Sequence, residues 1–269
     1  MPKTTDVPAN LREFNRIFEK LSYRHNYAEA YRDFIDYAVA CFSWRGNKET
    51  ADRLQRKYGK EYECFGQLYV EWFQIQKKEL SKTGQFEEVK WYDTLGTFYE
   101  IVSSGSKASW LGQFFTPPDL VTMLTLMVGG KEGAKARIED CCAGSGRMLI
   151  AYHAYYPGNY TFAADIDSIC ANMTALNMAL HGCEGQAICM DSLNPSDWRF
   201  GYAVNPFIRL TGGIPHLLPI TKEQSVHWQH WESRKTPAEP MIVQPAQSVL
   251  NPPPPPEVKI GKHGQLSFF

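Results

Sequence analysis

The chain has 269 residues, with 28 Lys and Arg against 29 Asp and Glu for a net charge of −1, and it is 43% hydrophobic and 13% aromatic. That length and apolar content hold one large or two smaller folded domains, and the near-neutral charge excludes a surface that attracts nucleic acid all over, so any DNA contact rests on a local patch. No stretch reaches the roughly 18 to 20 uninterrupted apolar residues of a membrane span, and polar residues rather than a signal peptide's apolar core follow Met1, so a soluble cytoplasmic protein with no membrane partner is expected.

Residues 10 to 102 read as helices. Asn10, with Glu13 three positions on, has the pattern of an N-terminal cap, and Leu11, Phe14, Ile17, Phe18 and Leu21 form one apolar stripe. Further stripes run through Tyr27, Tyr31, Phe34, Ile35, Ala38 and Phe42, through Tyr62, Phe65, Tyr69, Trp72, Phe73 and Leu80, and through Trp91, Leu95, Phe98, Tyr99 and Val102. Each gives a helix one face to bury, which predicts a helical domain over residues 1–103. Between Arg45 and Lys60 six cations outnumber Glu49 and Asp52, which marks either a candidate DNA patch or an ordinary solvated helix face.

Ser103-Ser104-Gly105-Ser106 breaks the helical pattern and predicts a hinge to a second domain over 104–210. There the pattern changes to helices alternating with short apolar runs, the signature of an α/β parallel sheet. Gly112-Gln113-Phe114-Phe115-Thr116-Pro117 is a turn opening a helix. Strand 136–140 leads into the loop Asp140-Cys141-Cys142-Ala143-Gly144-Ser145-Gly146 and a helix from about Arg147. Strand 160–164 ends at Asp165, and a helix carrying Ile169, Met173, Leu176 and Leu180 ends near Gly182. Strands over 187–190 and 202–204 lead to Asp191-Ser192-Leu193 and to Asn205-Pro206-Phe207. Residues 211–250 contain few strand-like runs and read as an irregular extension. Residues 251–269 begin a tail whose five prolines, 252–256, make a semi-rigid spacer.

Seven cysteines form no CxxC pair, which excludes a zinc site of ordinary spacing, and they read as thiols of a reducing compartment. In a parallel sheet, ligands bind beyond the carboxyl ends of the strands, where Asp140, Asp165, Asp191 and Asn205 are all expected to converge. Gly144 and Gly146 let a ligand approach the backbone. Asp165 follows the loop by about 20 residues, the separation at which a βαβ unit sets a carboxylate on ribose hydroxyls. Gly144-Ser145-Gly146 alone also fits a plain turn or a dinucleotide site, although a full GxGxxG is missing.

The run from Trp110 to Phe207 resembles the adenine-N6 DNA methyltransferases found as modification subunits of type I restriction systems. The resemblance rests on GQFFTP at 112–117, on Asp140 to Leu149 matching DPxxGSGxML with Cys141 in place of the proline, on Asp165, on Asp191-Ser192-Leu193, and on Asn205-Pro206-Phe207. It implies a Rossmann-like S-adenosylmethionine-dependent methyltransferase fold behind an α-helical domain, with a sheet left truncated because the usual seven strands do not fit in the chain beyond Phe207. It further implies that Phe115 and Thr116 cover the cofactor's methionine end, that Gly144 and Gly146 admit it and that Asp140 meets its ammonium group. Asp165, with Ile166 beside it, takes the ribose, and Asp191 takes the adenine amine. Asn205, Pro206 and Phe207 are implied to hold a flipped adenine for methyl transfer. NPPF is reduced here to Asn205-Pro206-Phe207-Ile208, so two readings stand. One is an active DNA adenine-N6 methyltransferase of restriction-modification or phage and mobile-element type. The other is a catalytically impaired methyltransferase-fold protein that binds cofactor or DNA as a regulatory module. RNA bases and protein amides are substrates of the same Asn-Pro chemistry. Sequence specificity would come from the helical domain, a second copy or a separate specificity subunit.

The terminal residues Gln265-Leu266-Ser267-Phe268-Phe269 resemble the bacterial sliding-clamp-binding peptide QLSLF. The implied partner is a replication clamp, with the glutamine making polar contacts and the leucine and terminal aromatic filling apolar pockets.

Overall fold

The computed structural model describes residues 7–82, 91–104 and 115–235, together with the residue pairs 259–260 and 266–267. Five helices come first: α1 (Arg12–Ser22), α2 (Tyr27–Phe42), α3 (Lys48–Tyr58), α4 (Glu63–Leu80) and α5 (Thr94–Ser104). Their apolar stripes meet as expected from the periodicity. Phe14 and Phe18 of α1 pack edge-on against Phe98 of α5, with ring centroids 4.7 and 5.2 Å apart. Asn26 and Asn47 cap α2 and α3, Asn26 accepting from the backbone N–H groups of Ala28 and Glu29 and Asn47 from that of Thr50. Asn10 is no cap. It lies in a 3-10 turn, and its Nδ2 donates to Glu79 and Tyr92, tying the chain start to α4. Two cations of the basic stretch are spent inside the protein, where Arg53 bonds Asp33 and Asp36 and Lys57 bonds Glu29 and Asp33.

A second set comes next: α6 (Pro118–Val128), β1 (Arg137–Asp140), α7 (Arg147–Tyr155), β2 (Tyr160–Asp165), α8 (Ser168–Leu180), β3 (Glu184–Cys189), β4 (Phe200–Val204), β5 (Leu217–Ile220) and α9 (Val226–Lys235). The strands form one sheet in the order β1-β2-β3-β4-β5. β1, β2 and β3 are parallel, each joined to the next by a helix as a βαβ unit requires. Asp167 caps α8, and Gly182 just beyond its end takes φ +78, a left-handed value that glycine adopts without strain.

The sheet departs from the expected one at β4, which runs antiparallel to β3, with Gly185 opposite Val204 and Cys189 opposite Phe200. β5, absent from the sequence reading, pairs antiparallel with β4. Its Pro219 supplies no ladder N–H and is tolerated because β5 is the sheet edge. Among the described residues no strand pairs with the outer edge of β1.

The helical region is continuous with this sheet in a single apolar core that runs from Phe14, Tyr31 and Phe98 to Met173, Leu176 and Val204. The Tyr31 hydroxyl of α2 donates to Leu95 O and lies 3.6 Å from the Met173 sulfur of α8. α9 approaches β1 and β3 through Glu139 and Gln186, which share one row of the sheet. β6 (Lys259–Ile260) and β7 (Leu266–Ser267) form a small antiparallel ribbon. No helix among the described residues is long and apolar enough to cross a membrane.

Candidate functional site

A cavity of about 610 Å³ opens at the carboxyl ends of β1, β2 and β3, within the range of small-molecule sites. Seven of the sequence-derived residues line it: Phe115, Thr116, Asp140, Gly144, Asp165, Ile166 and Asp191. Gly146 does not. It caps α7 at φ +85, and a Cβ there would meet Thr174 at 3.1 Å, so its part is to turn the chain tightly against α8. At Gly144, φ is +59 and a Cβ would come within 2.9 Å of the Phe115 ring.

Asp165 ends β2 and is almost wholly buried. Its Oδ2 accepts from Gly144 N and its Oδ1 from Asp167 N, both at 2.8 Å, which fixes the carboxylate while each oxygen keeps a lone pair for a ligand. Asp140 accepts from Cys142 N, and Asp191 from Leu193 N. Burial pushes the carboxyls of Asp140 and Asp165 upward, only partly offset at Asp165 by the N–H groups of Asp167 and Gly144. Ile166 and Leu193 also line the cavity, 53% and 97% exposed, and two such apolar side chains gain by covering a flat ring.

Among the described residues three carboxylates face this cavity and one cation lines it, Arg147, which is already held by Asp93 and Glu100. A pyrophosphate would meet uncompensated negative charge, whereas a ligand carrying an ammonium and a sulfonium group would relieve it. The residues present therefore fit S-adenosylmethionine better than a dinucleotide. Arg147, Ser192 and Leu193 also line the cavity; they lie inside motifs that the sequence singles out, but the sequence assigned none of them a binding role. Among the described residues no cluster of His, Cys, Asp and Glu is arranged to hold a metal.

Residues 90–203 match the family model for N-6 DNA methylases. Over these residues the chain is similar to N-6 DNA methylases. Of the solved structures, a type I restriction-modification methyltransferase subunit from Streptococcus thermophilus aligns at 19% identity with a TM-score of 0.30, over 63% of this chain and 37% of that one. A protein from Listeria monocytogenes described as a class I S-adenosylmethionine-dependent methyltransferase aligns at 11% identity with a TM-score of 0.28, over 64% of this chain and 52% of that one. The chain thus matches between about a third and a half of the length of these structures. A search of curated proteins finds no match.

The fold does not bring Asn205, Pro206 and Phe207 to the cavity, and here the sequence expectation is corrected. Because β4 is antiparallel, its carboxyl end lies beside the start of β3, at the opposite end of the sheet from Asp140 and Asp165. Asn205 is fully buried, with its Nδ2 donating to Ala179 O and Cys183 O and its Oδ1 accepting from His216 N, each at 2.9 Å. Its φ of +53 is a left-handed conformation that asparagine tolerates better than most residues. The side chain thus closes the carbonyl end of α8 and has no amide group to offer a base. Phe207 is buried as well, stacked on His216 and edge-on to Trp44. Of the terminal peptide, Leu266 and Ser267 form β7, while Gln265, Phe268 and Phe269 lie outside the described residues, as do Gly112 to Phe114 of the GQFFTP turn.

Proposed function

We propose that this chain binds S-adenosylmethionine in the cavity and serves DNA as a methylase-family module whose own Asn-Pro-Phe segment does not carry out adenine-N6 transfer. The observation that carries the reading is the separation of the carboxylate-lined cavity from an Asn205 whose amide groups are already bonded within the fold. Asp165 would take the ribose hydroxyls, Asp191 the adenine amine and Asp140 the ammonium group, with Ile166 and Leu193 against the adenine ring and Phe115 and Thr116 over the methionine end. The bound cofactor supplies an activated methyl group; the chain's residues bind and orient it.

Residues 1–103 would act as the helical domain and 104–210 as the cofactor core, within a restriction-modification or mobile-element setting in which a separate subunit or a second copy confers sequence specificity. The peptide Gln265 to Phe269 would tether the module to a bacterial sliding clamp, raising its effective concentration at DNA. Deleting those five residues should abolish retention of the clamp in a pull-down and leave cofactor binding intact; equal retention by both forms would refute the tether.

A second reading, an active DNA adenine-N6 methyltransferase, is favoured by the family match over 90–203. Incubation with tritiated cofactor and unmodified DNA, followed by nucleoside analysis, separates the two. Cofactor binding without labelled nucleoside supports the first, and labelled N6-methyladenine replaces it with the second.

A further inference from the structure

The floor of the cofactor cavity is wired to the helical region by a buried polar cluster. Asp93, immediately before α5, accepts four hydrogen bonds: from Gly96 N and Asn177 Nδ2 on one oxygen, and from Ser145 Oγ and Arg147 Nε on the other. Asn177 of α8 also donates to Ser145 O, and Thr174 donates to Gly144 O, so both residues of the glycine loop are held from below. Arg147 then reaches outward. Its Nη2 donates to Glu100 Oε2 at 2.8 Å, its Nη1 donates to Thr116 O at 3.1 Å, and its guanidinium lies 5.3 Å from the Phe115 ring centroid.

We infer that Arg147, oriented by Asp93 and Glu100, is a positioning residue that holds the Phe115–Thr116 turn over the cofactor. The inference rests on the reading of the cavity as a cofactor site. Asp93 and Glu100 do not line that cavity, yet they fix three of the guanidinium's N–H groups, leaving the remaining reach of Nη1 to the Thr116 carbonyl. Phe115 has little freedom of its own, since Gly144 is the one residue type that leaves room for its ring. A planar, multi-donor group suits this position and an ammonium does not, because no point charge can satisfy Asp93, Glu100 and Thr116 together. The cavity wall supplied by the turn therefore depends on α5, an element of the helical region.

The test is calorimetric titration of S-adenosylmethionine into the full chain and into Asp93→Asn, Glu100→Gln, Arg147→Lys and the double variant Asp93→Asn/Arg147→Lys, with folding checked by circular dichroism. The expected result is a Kd raised at least tenfold by Asp93→Asn and by Arg147→Lys, about threefold by Glu100→Gln, and no further in the double variant than in the weaker single one, as members of one unit behave. The side chain of Glu100 is 37% exposed, so Glu100→Gln decides the matter even if Asp93→Asn does not fold. Folded variants that bind as tightly as the parent would overturn the positioning role. A parent chain that binds no cofactor would instead overturn the reading of the cavity.

Discussion

Asp165 and Asn205 stand at opposite ends of one sheet: Asp165 closes β2 where Cys189 closes β3, whereas Asn205 follows Val204, which pairs with Gly185 at the other end of β3. The first faces a cavity and the second is sealed under α8. The two residues should therefore answer mutation in different ways.

Asn205→Ala is expected to act on stability. It removes three buried hydrogen bonds, takes the side-chain donor from the carbonyls of Ala179 and Cys183 and the acceptor from His216 N, and places a less tolerant residue at positive φ. Urea denaturation should show a loss of roughly 2 to 4 kcal/mol. At temperatures where the variant is folded, its affinity for S-adenosylmethionine should equal the parent's; a large loss of affinity with unchanged stability would contradict the burial of this side chain.

Asp165→Ala is expected to act on binding. Loss of hydrogen bonds to a charged acceptor should cost about 1.5 to 3 kcal/mol of cofactor affinity by calorimetry. Asp140 tests the electrostatics of the same wall. Its carboxyl is raised by burial, so between the ordinary Asp value and the folded value the native state holds more protons than the unfolded state, and stability falls as pH rises through that window. At neutral pH the ionised group costs stability. Asp140→Asn keeps an oxygen for Cys142 N, so it should melt no lower than the parent while binding the cofactor more weakly.

Gly144→Ala should cost roughly 1 to 2 kcal/mol from its left-handed backbone alone and should also displace Phe115. A crystal structure of the variant with the Phe115 ring unmoved would argue against the close approach.

Much of the site was legible in the sequence because its signals are local. The strand, the Gly144-Ser145-Gly146 loop and Asp165 follow one another within a single βαβ unit, and the stripes through Phe14, Phe34, Trp72 and Phe98 name their buried faces by spacing alone. The direction of β4 was not legible: residues 200–204 would read the same in either orientation, and orientation is decided by the neighbour they pair with. β5 was hidden by Pro219, and α9 by a sequence, Val226 to Lys235, that carries no clean apolar stripe. Asp93 and Arg147 are 54 positions apart, beyond the reach of any spacing rule.

Acid should destabilise the fold. His181 is buried, with Nε2 facing the donors Gln76 Nε2 and Tyr92 N and Nδ1 facing Asn177 O, a setting for the neutral ring with its proton on Nδ1. Burial holds His181 below the ordinary value of 6.5, and His153 and His216 likewise. Below that value the unfolded chain takes up more protons than the native one, so stability rises with pH through the window under 6.5 and is lost as pH falls through it. Denaturation midpoints at pH 7.5 and 5.5 should differ in that sense, and His181→Gln should reduce the difference. A midpoint that rises on acidification would mean these rings carry charge in the fold.

A crystal structure of the full chain grown with S-adenosylmethionine tests the separation of pocket and Asn205 most directly. The cofactor should lie against Gly144 with its ribose on Asp165 and its adenine between Ile166 and Leu193, while Asn205 keeps its bonds to Ala179 and Cys183. A cavity without the cofactor at saturating concentration, or an Asn205 side chain facing the sulfonium methyl group, would contradict it.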